Sequence, residues 1–228
     1  MAGRIAYLGN IVTQGLVLNL DAAIKGSYPG TGSIWTDVSN NGNNGTLPSS
    51  SFYTGSNYGA IVFDGTYNPV TLTQPSSSYI QNFTIQSWIA YEPSSSAYHS
   101  VLSTENYSNS TGWYYGVHYI NTNQIGYRIW KTNGSSYVWN GLLHSTNGTY
   151  AMYTLTVSVQ GSINAYVNTT NVNTLATDGT PLKYTGASPW FAADGTKGNT
   201  PVLLFYNRAL SAAEVQQNFN ALRGRYGI

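Results

Sequence analysis

Eight carboxylates are the whole acidic equipment of this chain: Glu92, Glu105 and Glu214, with Asp21, Asp37, Asp64, Asp178 and Asp194. Hydrolysis of a glycosidic bond needs two such groups facing one another, one to protonate the leaving oxygen and one to attack or to activate water. Neither Glu92 nor Glu105 has a second carboxylate two or four residues away, and Glu214 falls in a helix-capping pattern. No catalytic residue is therefore expected. His99, His118 and His144 are too dispersed for a local metal motif, and no serine sits in a Gly-x-Ser-x-Gly elbow. The absence of cysteine removes disulfides, thiolate zinc sites and thiol nucleophiles. Calcium requires several converging oxygens. Asp37 and Asp64, placed just before Ser39 and Gly65, read instead as residues that close turns through their own backbone, and no EF-hand spacing occurs. Neither a metal site nor a cofactor is expected.

The other chemistry available is aromatic. Trp113, Tyr114, Tyr115, Tyr119, Tyr127, Trp130, Tyr137 and Trp139 crowd one stretch of the chain. Flat rings can stack on sugars, but alternate aromatics on strands also build cores, and Tyr and Trp favour protein interfaces. Trp113, Tyr115, Trp130 and Trp139 are the candidates for sugar stacking or for an interface.

The elements that must position these rings are strands. Charged residues are only 7% of the chain while hydrophobic ones are 41%, and Gly, Asn, Ser and Thr supply turn positions between half-buried runs. Leu16–Leu20 reads as a first strand, followed by a long surface connection through Asn57. Ala60–Phe63 and Val70–Leu72 flank Asp64-Gly65. Phe83, Ile85, Ile89 and Tyr91 alternate with Thr84, Gln86, Trp88 and Ala90, which puts Trp88 on the opposite face. Trp113–Ile120, Ile125–Trp130 and Tyr137–Trp139 predict an antiparallel meander, and Tyr153–Val159 with Ile163–Val167 predicts a hairpin turning at Gln160-Gly161. Pro201–Tyr206 is continuously apolar, as a strand buried on both faces would be. Ser211-Ala212-Ala213-Glu214 is a capping box between Leu210 and Val215, and it predicts one short helix with a Val215/Phe219/Leu222 stripe, stopped by Arg223-Gly224.

These elements make one all-β domain over residues 15–228, preceded by an arm over residues 1–14. A net charge of +1 with scattered basic residues offers no phosphate-tracking face, so nucleic acid is not an expected partner. No window is long and apolar enough for a signal peptide or a membrane span, which predicts a protein made without export or membrane insertion. The Asn-x-Ser/Thr triplets at Asn82, Asn133 and Asn147 are what chance gives in so Asn-, Ser- and Thr-rich a chain.

Five blocks in order carry a resemblance: Gly15–Ala22, Trp35–Ser39, Gly42–Thr46, Val62–Gly65 and Phe205–Val215, the last reading Tyr-Asn-Arg-Ala-Leu-Ser-x-x-Glu-Val. Together they resemble the laminin-G-like branch of the concanavalin A-like lectin/glucanase superfamily. That resemblance implies a two-sheet antiparallel jelly roll with a groove on its curved sheet, and sometimes Ca²⁺ at the rim. The superfamily's retaining glucanases place their two carboxylates in a Glu-x-Asp-x-x-Glu strand, which is absent from this chain. The layout, closing on Asn218–Gly227, is also similar to stand-alone virion proteins of tailed bacteriophages. It implies a non-enzymatic capsid-surface decoration or head-fibre component, a homo-oligomer located in the virion among other virion proteins. The alternative is a tail-fibre adhesin for a cell-surface glycan. On that view Ile5, Tyr7, Leu8 and Ile11 are expected to dock the arm on the virion or on a neighbouring subunit.

Overall fold

The structure, a computed structural model, describes residues 10–48, 53–66, 69–73, 81–92, 98–104, 109–118, 124–143, 148–183, 190–191 and 196–228. For residues 57, 98–100, 114–118, 124, 142–143 and 190–191 it describes the backbone alone. The fold is the expected two-sheet antiparallel sandwich with one C-terminal helix.

Sixteen strands among the described residues divide into two sheets. The first runs β14 (Thr170–Ala176), β13 (Ser162–Val167), β12 (Tyr150–Ser158), β7 (Asn82–Tyr91), β16 (Lys197–Tyr206), β5 (Ala60–Asp64), β4 (Tyr53–Thr54). The second runs β11 (Ser136–Leu143), β10 (Gln124–Trp130), β9 (Trp113–His118), β8 (Tyr98–Ser103), β15 (Trp190–Phe191), β6 (Val70–Leu72), β3 (Gly45–Thr46), β2 (Ile34–Trp35). β16 is the pivot of the first sheet. Its first half pairs β5 (Thr200↔Ile61), and after Pro201 its second half pairs β1 (Leu16–Asp21; Leu20↔Leu203), while β7 lies along its other edge. The two apolar runs around Asp64-Gly65 go to different sheets, β5 to the first and β6 to the second. The long connection is not featureless either. It contributes β2, β3 and β4, and Trp35 within it is fully buried. Two-residue strands show no periodicity, so a sequence offers nothing to detect.

Alternation on each strand then makes two cores. The inner one lies between the sheets and holds Leu20, Trp35, Phe83, Ile85, Tyr153, Leu155, Ile163, Leu203 and Phe205. The outer one lies on the far side of the first sheet, where Trp88, Met152, Val202, Leu204 and Tyr206 are covered by the helix α1 (Ala212–Leu222) and by Val12. This second layer is why β7 and β16 are buried on both faces. Trp88 does fill the other face, with ring centroids 5.5 Å from Phe219 and 4.6 Å from Tyr226.

The helix starts as its sequence dictates. The Glu214 N–H donates to Ser211 Oγ, and the Ser211 N–H donates to Glu214 Oε2 at 2.9 Å. Arg208 adds a bidentate pair to the same carboxylate at 2.6 and 2.9 Å. It does not stop as expected: Gly224 lies within a 3-10 turn (Arg223–Arg225) that extends the last coil, and the left-handed glycine is Gly227 at φ 72°. That extension carries Arg225 under the sandwich, where its guanidinium grips Asp21.

The Arg208 guanidinium, and then Ser211, hold the Glu214 carboxyl down at about 2, against an ordinary 4.5. Because the folded value lies below the unfolded one, this stabilisation is present above pH 4.5 and is lost as the pH falls from there towards 2. The pair is partly solvated, so its contribution is about 1 kcal/mol. In acid titrations of thermal stability, Glu214→Gln should therefore lose less stability than the wild type across that window.

Candidate functional site

The described carboxylates are each committed within the protein. Asp37 accepts the backbone N–H groups of Asn19, Ser39 and Asn43 and the Ser39 hydroxyl, and so ties β1 to the loop that follows β2. Asp64 accepts the Thr66 N–H at 2.9 Å and its hydroxyl at 2.6 Å, which lowers its pKa. Both are turn residues, as their spacing suggested. Asp178 accepts Lys131 Nζ at 2.8 Å, the Thr180 N–H and the Tyr137 hydroxyl; Lys131 first, then Tyr137, hold its carboxyl well below the usual range. Glu92 faces Lys197 across 3.7 Å. Glu105 and Asp194 lie outside the described residues, as do His144 and the side chains of His99 and His118. Among the described residues no three His, Asp or Glu side chains gather where a metal ion could bind.

The aromatic candidates separate. Trp113 is 4% exposed and lies in the inner core, its ring centroid 5.4 Å from Phe83 and 6.3 Å from Phe205. It has no face to offer a ligand, so the assignment of Trp113 to sugar stacking is corrected here: it is a core residue. Trp139 is half-buried and packs against the same core beside Tyr127, bending back along β11 over Gly141, where a Cβ would come within 2.5 Å of its ring. The side chain of Tyr115 lies outside the described residues. Trp130 is different. Ile125, Tyr127 and Ile129 point into the core, and Trp130 is out of phase with them, so alternation puts it on the outer face of the second sheet.

That outer face can be read row by row from the register. Trp130 pairs Ser136, Arg128 pairs Val138 on one side and Tyr114 on the other, and Gly126 pairs Asn140 and Gly116. The Asn140 carboxamide lies over Gly126, so close that a Cβ there would meet its Oδ1 at 2.2 Å. Val138 is 43% exposed, and Trp130 and Arg128 are partly exposed. Among the described residues no helix or strand layer covers this face, whereas α1 covers the outer face of the first sheet. A partly exposed indole, a guanidinium and a carboxamide on one sheet face can stack on a pyranose ring and bond its hydroxyls.

The arm candidates also separate. Ile5, Tyr7 and Leu8 lie outside the described residues, while Ile11 packs against the protein's own outer core. Next to it, Val12 donates its N–H to Asn218 Oδ1 at 2.7 Å and accepts from the Tyr206 hydroxyl. Residues 10–14 are thus seated on the domain.

A family model described as the concanavalin A-like lectin/glucanases superfamily, of the laminin G type, matches residues 64–216. The chain belongs to this superfamily. The candidate face, on β9, β10 and β11, lies inside the stretch that identifies it as a superfamily member. No curated protein matches the chain. Among solved structures it is similar to the binding domain of Paraclostridial Mosquitocidal Protein 1 (TM-score 0.68, 17% identity, 90% of this chain and 52% of that one). It is similar also to the botulinum neurotoxin serotype D binding domain (TM-score 0.71, 11% identity, 91% and 52%) and to that of neurotoxin DC in complex with SialylT (TM-score 0.66, 15% identity, 92% and 52%). At these identities the likeness is one of fold, and the chain spans about half the length of each of these structures.

Proposed function

We propose that this superfamily member is a non-catalytic binding module that engages a glycan through the outer face of its second sheet. The observation that carries this reading is the placement of Trp130, Arg128 and Asn140 in adjacent register rows on the outer face of the second sheet, over which no helix or strand layer lies among the described residues. Two proteins of similar fold support a sugar as the ligand class: the neurotoxin DC binding domain in complex with SialylT, and botulinum neurotoxin type C, whose cell entry depends on interaction with two ganglioside molecules. A glycan array probed with the purified chain tests it. Trp130→Ala should weaken the array signal, by up to about tenfold if stacking contributes about 0.5–1.5 kcal/mol. Trp139→Phe should retain the signal; equal binding by the wild type and Trp130→Ala would reject this face.

The module is mounted on a bacteriophage virion, at the capsid surface or in a head fibre, as a homo-oligomer assembled in the host cytoplasm. What supports this placement is the similarity of the chain's layout and of its Asn218–Gly227 ending to stand-alone virion proteins. A tail-fibre adhesin is the second reading, favoured by the partly exposed indole of Trp130 on the outer face of the second sheet. Cryo-electron microscopy of particles separates them: density on the capsid lattice supports the first, density at a tail tip the second, and absence from particles leaves a free lectin.

A further inference from the structure

A second recess lies on the opposite side of the molecule, against the outer face of the first sheet. It is a cleft of ≈ 440 Å³ between residues 10–16, β1, the loop at residues 38–40 and the end of α1. That volume is within the range of small-ligand sites and suits a single small molecule better than a long oligosaccharide. Its floor is aliphatic, formed by Leu16, Val202, Leu204 and Leu222. Asn10, Thr13, Asn19 and Asn40 stand around it, and none of their side chains has a hydrogen-bond partner among the described residues. The one charge in its wall, Asp21, is neutralised by Arg225 at 2.7 Å, so the cleft carries no net charge.

We infer that this cleft is a binding site for a neutral N-acetylated sugar unit, distinct from the Trp130 face. An acetamido group is complementary to these partly solvated walls: its methyl suits the aliphatic floor, and its one N–H and one C=O match a carboxamide side chain donor to acceptor. Ring hydroxyls suit the remaining amides and Thr13. The lining contains no aromatic ring and no free charge, which disfavours ligands that bind by stacking or by ion pairing.

The test is titration of the intact chain with N-acetylglucosamine and, separately, with glucose, followed by ¹⁵N-resolved NMR. N-acetylglucosamine should shift the amides of residues 13, 19, 40 and 204, and glucose should not. The combined variant Asn19→Ala with Asn40→Gly removes two carboxamides that have no hydrogen-bond partner among the described residues, and glycine takes the left-handed backbone of position 40 without cost to the turn. It should weaken binding by about tenfold or more with an unchanged melting temperature, while Trp130→Ala binds this sugar as the wild type does. Equal response to the two sugars, no shifts at these amides, or full binding by the combined variant would overturn the inference. Because the Trp130 variant reports only on the other face, either site can fail without the other.

Discussion

Asp21→Ala is expected to destabilise the protein by about 3–5 kcal/mol, the usual cost of leaving one partner of a buried ion pair uncompensated. Arg225 Nη1 donates to both carboxylate oxygens of Asp21, at 2.9 and 2.7 Å, and both side chains are only 4% exposed. Asp21 also accepts the Ala23 N–H, and its own N–H donates to Ser27 Oγ, so the pair fastens the last turn of the chain to the end of its first strand. Small domains are stable by about 5–15 kcal/mol, so a loss of this size should shift the urea midpoint by a large fraction. Replacing both partners, Asp21→Leu with Arg225→Met, should recover most of the loss, because it removes the unpaired charge together with the pair. A urea midpoint for Asp21→Ala close to that of the wild type would mean that the pair is solvated and contributes little.

Asn218→Ala should have the next largest effect, about 2–4 kcal/mol by the same measurement, since it strands several buried polar groups at once. Asn218 lies on the buried side of α1 with no exposed surface. Its Oδ1 accepts from Val12 N, and its Nδ2 donates to Gln86 Oε1 and to the Tyr206 hydroxyl at 2.9 Å. Gln86 in turn donates to Thr154 Oγ1, and Tyr206 to the Val12 carbonyl. One carboxamide therefore joins the helix, three strands of the first sheet and the N-terminal segment. Asn218→Leu, which restores volume but not donors, should rescue little; full rescue would show that packing rather than hydrogen bonding holds this contact.

The parts of this fold that were legible in the sequence are those governed by short-range rules. Alternation gave β7, the β12–β13 hairpin and the order of β9, β10 and β11, and the Ser211/Glu214 spacing gave the helix start. β14 was missed because Thr-Asn-Val-Asn-Thr-Leu-Ala reads as a loop; its pairing with β13 comes from sheet context rather than propensity. The Asp21–Arg225 pair spans 204 residues, and no local spacing points to it. Asn218 did carry a signal: it falls three residues after Val215 and four before Leu222, on the apolar stripe, where a polar residue needs partners. The candidate face was also partly readable, since Trp130 is one residue out of phase with Ile129 while Trp139 is in phase with Tyr137. Composition alone had pooled these rings, and only register separates core from surface.

Glycan binding on the outer face of the second sheet is read most directly from the indole N–H resonances. The chain has six tryptophans, and among those whose side chains the structure describes Trp35, Trp88 and Trp113 are buried in the two cores. When a glycan identified on the array is titrated into ¹⁵N-labelled protein, the Trp130 indole should move together with the backbone amides of residues 126, 128, 138 and 140, and the three buried indoles should stay in place. Saturable binding that leaves Trp130 and those amides unmoved would contradict the claim and put the ligand elsewhere on the molecule.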